Sequence, residues 1–187
     1  MEIFAFAASL REESYNRRLL ALAADELRGM GIEVDDPHFS EFDVPLYNQD
    51  LEDAEGIPQG ARKLADKLEA SDGFIIVSPE YNHGIPGTLK NLIDWASRIR
   101  PDQPFGGQPG LLMSASPSMV GGNRAAETLR TPLMTLGAEL HPSIFSLARA
   151  HQAFDEEGGL EDEAMAERLG GTLKSFIEFA GKLGAEL

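Results

Sequence analysis

Two short runs, Ile3 to Ala8 and Phe74 to Val77, are apolar without any alternation. A strand with one wet face shows polar residues at every second position, so an unbroken apolar run marks a strand covered on both faces, as in a parallel sheet. Such a sheet needs helical crossovers, and the chain supplies them. After Phe74–Val77 comes a loop, Ser78-Pro79-Glu80-Tyr81-Asn82-His83-Gly84, whose Pro and Gly residues hold backbone amides in a fixed arc. Pro86 fits the first turn of a helix, where its missing N–H has no partner to lose. Leu89, Leu92, Ile93 and Ala96 then repeat at helical spacing. Ligands of open α/β sheets bind at such strand ends.

The same unit recurs along the chain. The first strand leads through the polar loop Ser9–Asn16 into a helix with Leu19, Leu20, Ala23, Ala24 and Leu27 on one face, ended by Gly29 or Gly31. Ile32–Asp35 is a shorter second strand, placed nearer an edge. Asp36–Pro58 is too long for a structureless loop and is expected to be packed or functional. A helix with Ala61, Leu64, Ala65 and Leu68 precedes the third strand. Arg100–Pro109 reads as a loop, Gly110–Ala115 as the fourth strand, and Ser114–Asn123 as a small-residue loop. The next helix carries Ala125, Ala126, Leu129 and Leu133, with Pro132 predicting a kink or early stop and Gly137 closing it. Glu139–Phe145 is a fifth strand, at an edge because Pro142 lacks a donor. Asp155–Gly159 turns the chain into a closing helix from Met165 to Leu183. Five strands alternating with helices predict one α/β domain over residues 1–187, which is within the usual size of a single domain.

Charge and composition exclude several classes of function. The formal net charge of −15 opposes nucleic acid and anionic membrane surfaces. Five lysines stand against eleven arginines; a high-salt host and a plain solubilising acidic surface both fit that balance. The absence of cysteine removes disulfides, zinc-thiolate sites and thiol redox chemistry, so redox work requires a bound cofactor. The first residues show no basic leader, and no apolar run approaches the ~18 residues of a membrane span. A cytoplasmic protein is expected.

Three loops hold the candidate chemistry. Ser9, Arg11, Ser14 and Asn16 combine hydroxyls, a guanidinium and an amide with a helix start, which suits a phosphate; helix capping by Ser14 or Asn16 is the structural alternative. The loop is neither a dinucleotide fingerprint nor a Walker A sequence, so a mononucleotide is the better candidate. Pro79, Glu80, Tyr81 and Asn82 offer amides to the polar edge of a ring. His83 has no second ligand at useful spacing, and no metal site is expected. Glu80 fits a general base or a solvated carboxylate. Ser114, Ala115, Ser116, Gly121 and Gly122 permit close approach of a planar ligand, with Arg124 nearby. Trp95 lies off the core stripe, beside Leu92 and Ile99, and either faces a partner subunit or is buried.

With Ser9-Leu10-Arg11, Ser14 and Asn16, Pro45-Leu46-Tyr47-Asn48, the stretch Ser78–Trp95, Gly121-Gly122 with Arg124-Ala125, and Leu136-Gly137-Ala138, the sequence resembles the NADPH-dependent FMN reductase family. That family also includes quinone, chromate and azo-dye reductases of flavodoxin-like fold. The resemblance implies a three-layer sandwich with sheet order 2-1-3-4-5. FMN phosphate would be held at positions matching Ser9, Arg11, Ser14 and Asn16, and the isoalloxazine at those matching Pro79, Glu80, Tyr81 and Asn82, with Ser114 and Ser116 as third wall. Ala8 stands where glycine is usual in the family. The resemblance further implies NADPH or NADH as co-substrate, a small-molecule electron acceptor, no assigned catalytic side chain, and a homodimer or homotetramer formed near the helix that bears Trp95. A flavodoxin-type electron carrier without nicotinamide turnover is the alternative.

Overall fold

The computed structural model describes residues 1–99 and 104–184. Its strands are β1 (Glu2–Ala7), β2 (Glu33–Asp35), β3 (Gly73–Val77), β4 (Pro109–Ala115) and β5 (Glu139–Leu147). They form a single parallel sheet in the order β2-β1-β3-β4-β5. The helices are α1 (Tyr15–Gly29), α2 (Gln49–Glu55), α3 (Gln59–Glu69), α4 (Gly87–Ala96), α5 (Asn123–Thr135) and α6 (Glu163–Gly184). The predicted loop over 100–109 lies partly outside the described residues.

The apolar runs are unalternating because their two faces enter different cores. Ile3, Ala5, Ala7, Ile75 and Val77 pack with Leu19, Leu20, Ala23 and Leu27 of α1 and Leu169, Leu173 and Phe176 of α6. The intervening Phe4, Phe6, Phe74 and Ile76 pack with Leu64 and Leu68 of α3, Leu89, Leu92 and Ile93 of α4, and Leu129 and Leu133 of α5. Each strand residue is thus buried on one side or the other, which completes the three layers.

Three expectations are refined. Gly31, at φ 81, ends α1, with the Gly31 N–H bonded to Arg28 and the Ile32 N–H to Leu27. Pro132 does not stop α5, which runs on to Thr135; buried Leu129 and Leu133 anchor the helix on both sides of it. The 36–58 connection is packed: a short 3-10 helix, Phe39–Phe42, buries both of its aromatic rings, and α2 follows. Gly60 is required at the start of α3, since a Cβ there would lie 2.3 Å from the Asp43 carbonyl oxygen.

Trp95 is fully buried in its own chain, the second of the two alternatives its position left open. Its indole N–H donates to the Pro45 carbonyl at 2.7 Å, and the Asn91 side-chain amide donates to the same oxygen at 2.8 Å. The Asn91 side-chain oxygen accepts from the Tyr47 N–H at 2.8 Å, and the Tyr47 ring meets the indole edge-on at 5.0 Å. The two sequence blocks Pro45–Asn48 and Lys90–Trp95 are therefore one structural unit. It leaves Leu46 83% exposed at the tip.

Candidate active site

Parallel strands end on a common edge, so the loops after β1, β3 and β4 converge there. They enclose a cleft of about 180 Å³ lined by Ser9, Arg11, Ser14, Asn16, Pro79, Glu80, Tyr81 and Ser116, together with Tyr15, Ala115 and Pro117. Most of the predicted site residues thus come from three separate loops to one place. Asn82 and Ser114 do not line the cleft. Asn82 lies at the tip of a hairpin, and Ser114 is fully buried, its hydroxyl 2.9 Å from that of Ser146.

On the first wall, Ser14 caps α1 by accepting from the Asn16 N–H at 3.2 Å. Among the described residues, the N–H groups of Leu10, Glu12, Glu13 and Ser14 have no protein acceptor. Of these residues Ser14, the cap of α1, lines the cleft, and an unpaired amide beside a helix N-terminus favours an anion. Arg11 donates to the Glu13 carbonyl and lies 5.4 Å from the centre of the Tyr15 ring, so its guanidinium stays on the cleft side of the loop. Asn16, which also lines the cleft, makes a structural tie. Its side-chain oxygen accepts from the Ala115 N–H at 2.9 Å and its NH₂ donates to the Ala115 carbonyl at 3.0 Å, tying the first wall to the third.

The second wall contains a tight hairpin in which Tyr81 and Gly84 exchange backbone bonds of 3.2 and 3.1 Å. Its central residues, Asn82 and His83, have φ of 53 and 62. Two-residue hairpins with a type I′ turn need this left-handed backbone at both central positions, and Asn and His tolerate it better than most residues. Tyr81 is 53% exposed at the mouth of the cleft.

Ala115, named with the small residues of the third loop, also lines the cleft, while sequence reasoning missed Tyr15 and Pro117. Tyr15 carried a usable signal as the aromatic residue next to the Ser14 cap; Pro117 only flanks a predicted serine. A larger hollow of about 410 Å³ shares the first loop through Leu10 and is lined mainly by Phe39, Phe42, Val44 and Leu46. It holds none of the predicted site residues.

The sequence model of the NADPH-dependent FMN reductase family matches residues 1–152. The chain belongs to this family. A quinone reductase of Escherichia coli is 34% identical over 182 residues, covering 96% of this chain and 95% of that protein. An NAD(P)H-dependent FMN reductase of Pseudomonas aeruginosa is 36% identical over 171 residues, covering 89% and 88%. Among solved structures, the flavoenzyme NAD(P)H:(acceptor) oxidoreductase FerB of Paracoccus denitrificans superposes with a TM-score of 0.83 at 28% identity, over 97% of both chains. A Pseudomonas aeruginosa flavodoxin, with a TM-score of 0.56 at 16% identity over 98% and 99%, shares the fold. As a member of the FMN reductase family the chain is an oxidoreductase, with FMN as cofactor and NADPH or NADH as co-substrate. No helix among the described residues is long and apolar enough to cross a membrane.

Proposed function

We propose that this reductase holds FMN in the cleft between the loops after β1, β3 and β4, and passes hydride from NADPH or NADH to a small flavin, quinone, azo or similar acceptor. The observation that carries this reading is the convergence of a helix N-terminus with unpaired amides, Arg11, and the Pro79–Tyr81 and Ser116 loops on one cleft. Bound FMN supplies the two-electron chemistry through N5 of its ring.

The chain's own residues bind and orient. Amides at the start of α1, the hydroxyls of Ser9 and Ser14, and Arg11 hold the phosphate by charge-assisted bonds. Pro79, Glu80, Tyr81 and Ser116 flank the ring. A cleft of about 180 Å³ is smaller than the ~300–1,000 Å³ of sites that enclose a whole ligand, so its lining residues would cover a bound flavin only in part. The flavin would supply the redox chemistry and the lining residues the proximity, so no side-chain nucleophile is needed. Ser114 and Asn16 support this arrangement from the framework.

We place the protein in the cytoplasm as a homodimer or homotetramer; exposed Leu46 and Leu10 beside the larger hollow support assembly. Anaerobic titration of the FMN-loaded protein with NADPH and NADH tests the activity. Bleaching of the flavin absorption by either nucleotide is expected. Reduction by dithionite but by neither nucleotide would instead point to an electron carrier of flavodoxin type.

A further inference from the structure

The cap position of α5 is Gly122, which has no side chain to offer. It has to be glycine: its φ is 85, and a Cβ there would lie 3.2 Å from the Ser114 Cβ and 3.6 Å from the Glu80 Cβ. The first-turn N–H groups that a Ser or Asp cap would satisfy are those of Arg124 and Ala125. Both donate to one oxygen of Glu80, at 3.1 and 3.3 Å. The other carboxylate oxygen faces the Arg124 guanidinium at 3.7 Å and the His83 ring at 3.8 Å. The Glu80 side chain is only 10% exposed, and it leaves β3 immediately before the strained Tyr81–Gly84 hairpin. Glu80 thus lines the cleft and at the same time engages the end of a helix outside its lining.

We propose that Glu80 is a positioning residue: it closes the first turn of α5 from the second wall of the cleft, fixes that wall against α5, and neutralises the positive end of the helix near the flavin ring. The cleft is left with one anion-attracting helix end, that of α1, which directs the phosphate there. This inference rests on the proposed placement of FMN in the cleft. Two-electron-reduced FMN carries negative charge on its ring, and charge placed near the ring tunes its potential. An uncompensated α5 terminus with Arg124 would stabilise that reduced form.

Two substitutions separate the roles. Glu80→Gln keeps an oxygen for the two N–H groups and removes the charge; Glu80→Ala removes both. The measurements are amide hydrogen exchange of α5 in FMN-free protein, the FMN dissociation constant by fluorescence, and the midpoint potential of bound FMN by dye equilibration. Glu80→Gln is expected to raise the midpoint potential with FMN affinity close to that of the parent protein. Glu80→Ala is expected to speed exchange at Arg124 and Ala125 and to weaken FMN binding roughly fivefold, the effect of losing a helix cap. An unchanged or lowered potential in Glu80→Gln, or unchanged exchange in Glu80→Ala, overturns the proposal.

Arg11→Ala serves as the control for cofactor placement. If it weakens FMN binding while Glu80→Gln leaves the potential unmoved, the role of Glu80 is wrong and the site stands. If neither Arg11→Ala nor Glu80→Ala changes FMN binding, the placement of FMN itself is wrong, and with it the effect on the ring.

Discussion

Arg11 and Asn16 lie on one loop and do opposite work. The Arg11 side chain is exposed and holds only the Glu13 carbonyl, so its removal leaves the fold nearly untouched. Arg11→Ala is expected to weaken FMN binding by about 1.5–3 kcal/mol, the range for hydrogen bonds to charged groups, as read by fluorescence titration. Asn16→Ala strands a buried N–H and a buried carbonyl at Ala115, and should lower unfolding free energy by about 1–3 kcal/mol in urea. If Asn16→Ala left the urea midpoint unchanged, the tie between the first and third walls would be superfluous. Tyr47 adds a pH-dependent term. Partial burial, followed by its hydrogen bond to Glu52, raises the phenol above its ordinary value of 10.0. The folded state favours the neutral phenol, so its contribution to stability is full below the ordinary tyrosine range and is lost as pH rises through the raised native value. Tyr47→Phe should remove the corresponding late step from an alkaline absorbance titration. Arg11 was legible because a guanidinium beside a helix start has few other uses; the inward turn of Asn16 was not, because its partner is a backbone group that no sequence letter marks.

At the scale of elements, the central strands were plain in the sequence because burial on both faces erases alternation. Their order was not, since hydrophobic pattern records that a strand is covered and not which strand lies beside it; it came from the family resemblance. The 36–58 connection was opaque for a related reason: Phe39 and Phe42 are isolated apolar letters in a polar stretch, too few to show a period, yet they fill the same core as Phe4 and Phe6. Trp95 was left between a partner face and burial because its helical position lies off the core stripe, while the neighbour that covers it is the Pro45–Tyr47 segment, 50 residues upstream of the indole at its Pro45 contact. Trp95→Phe keeps most of the buried ring and deletes the indole donor. It is expected to cost roughly 1–3 kcal/mol, since the replacement also leaves a small gap. Limited proteolysis should then cut first between Val44 and Asn48; cleavage elsewhere would show that this bond does not hold the segment.

For the molecule as a whole, the charge of −15 is spread over a fold with few lysines to offset it. Self-repulsion of this kind weakens the compact state at low ionic strength. Raising sodium chloride from about 10 mM to about 150 mM shortens the screening length from ~30 Å to ~8 Å and should raise the Tm. A Tm that falls with added salt would mean that attractive pairs such as Lys67 with Asp35 outweigh the repulsion.

The cap of α5 also bears on the order in which the chain assembles. The oxygen that completes its first turn is 44 residues upstream of Arg124. That turn therefore gains its acceptor only after β3 and β4 have paired and carried the bend after β3 to it, because a distant contact must first meet the entropy of closing the intervening loop. The first turn of α5 is a late addition to a sheet already built. In pulse-labelled refolding, protection of Arg124 and Ala125 should follow that of Ile75 and Leu112, and protection in the reverse order would show that the helix forms without its remote cap.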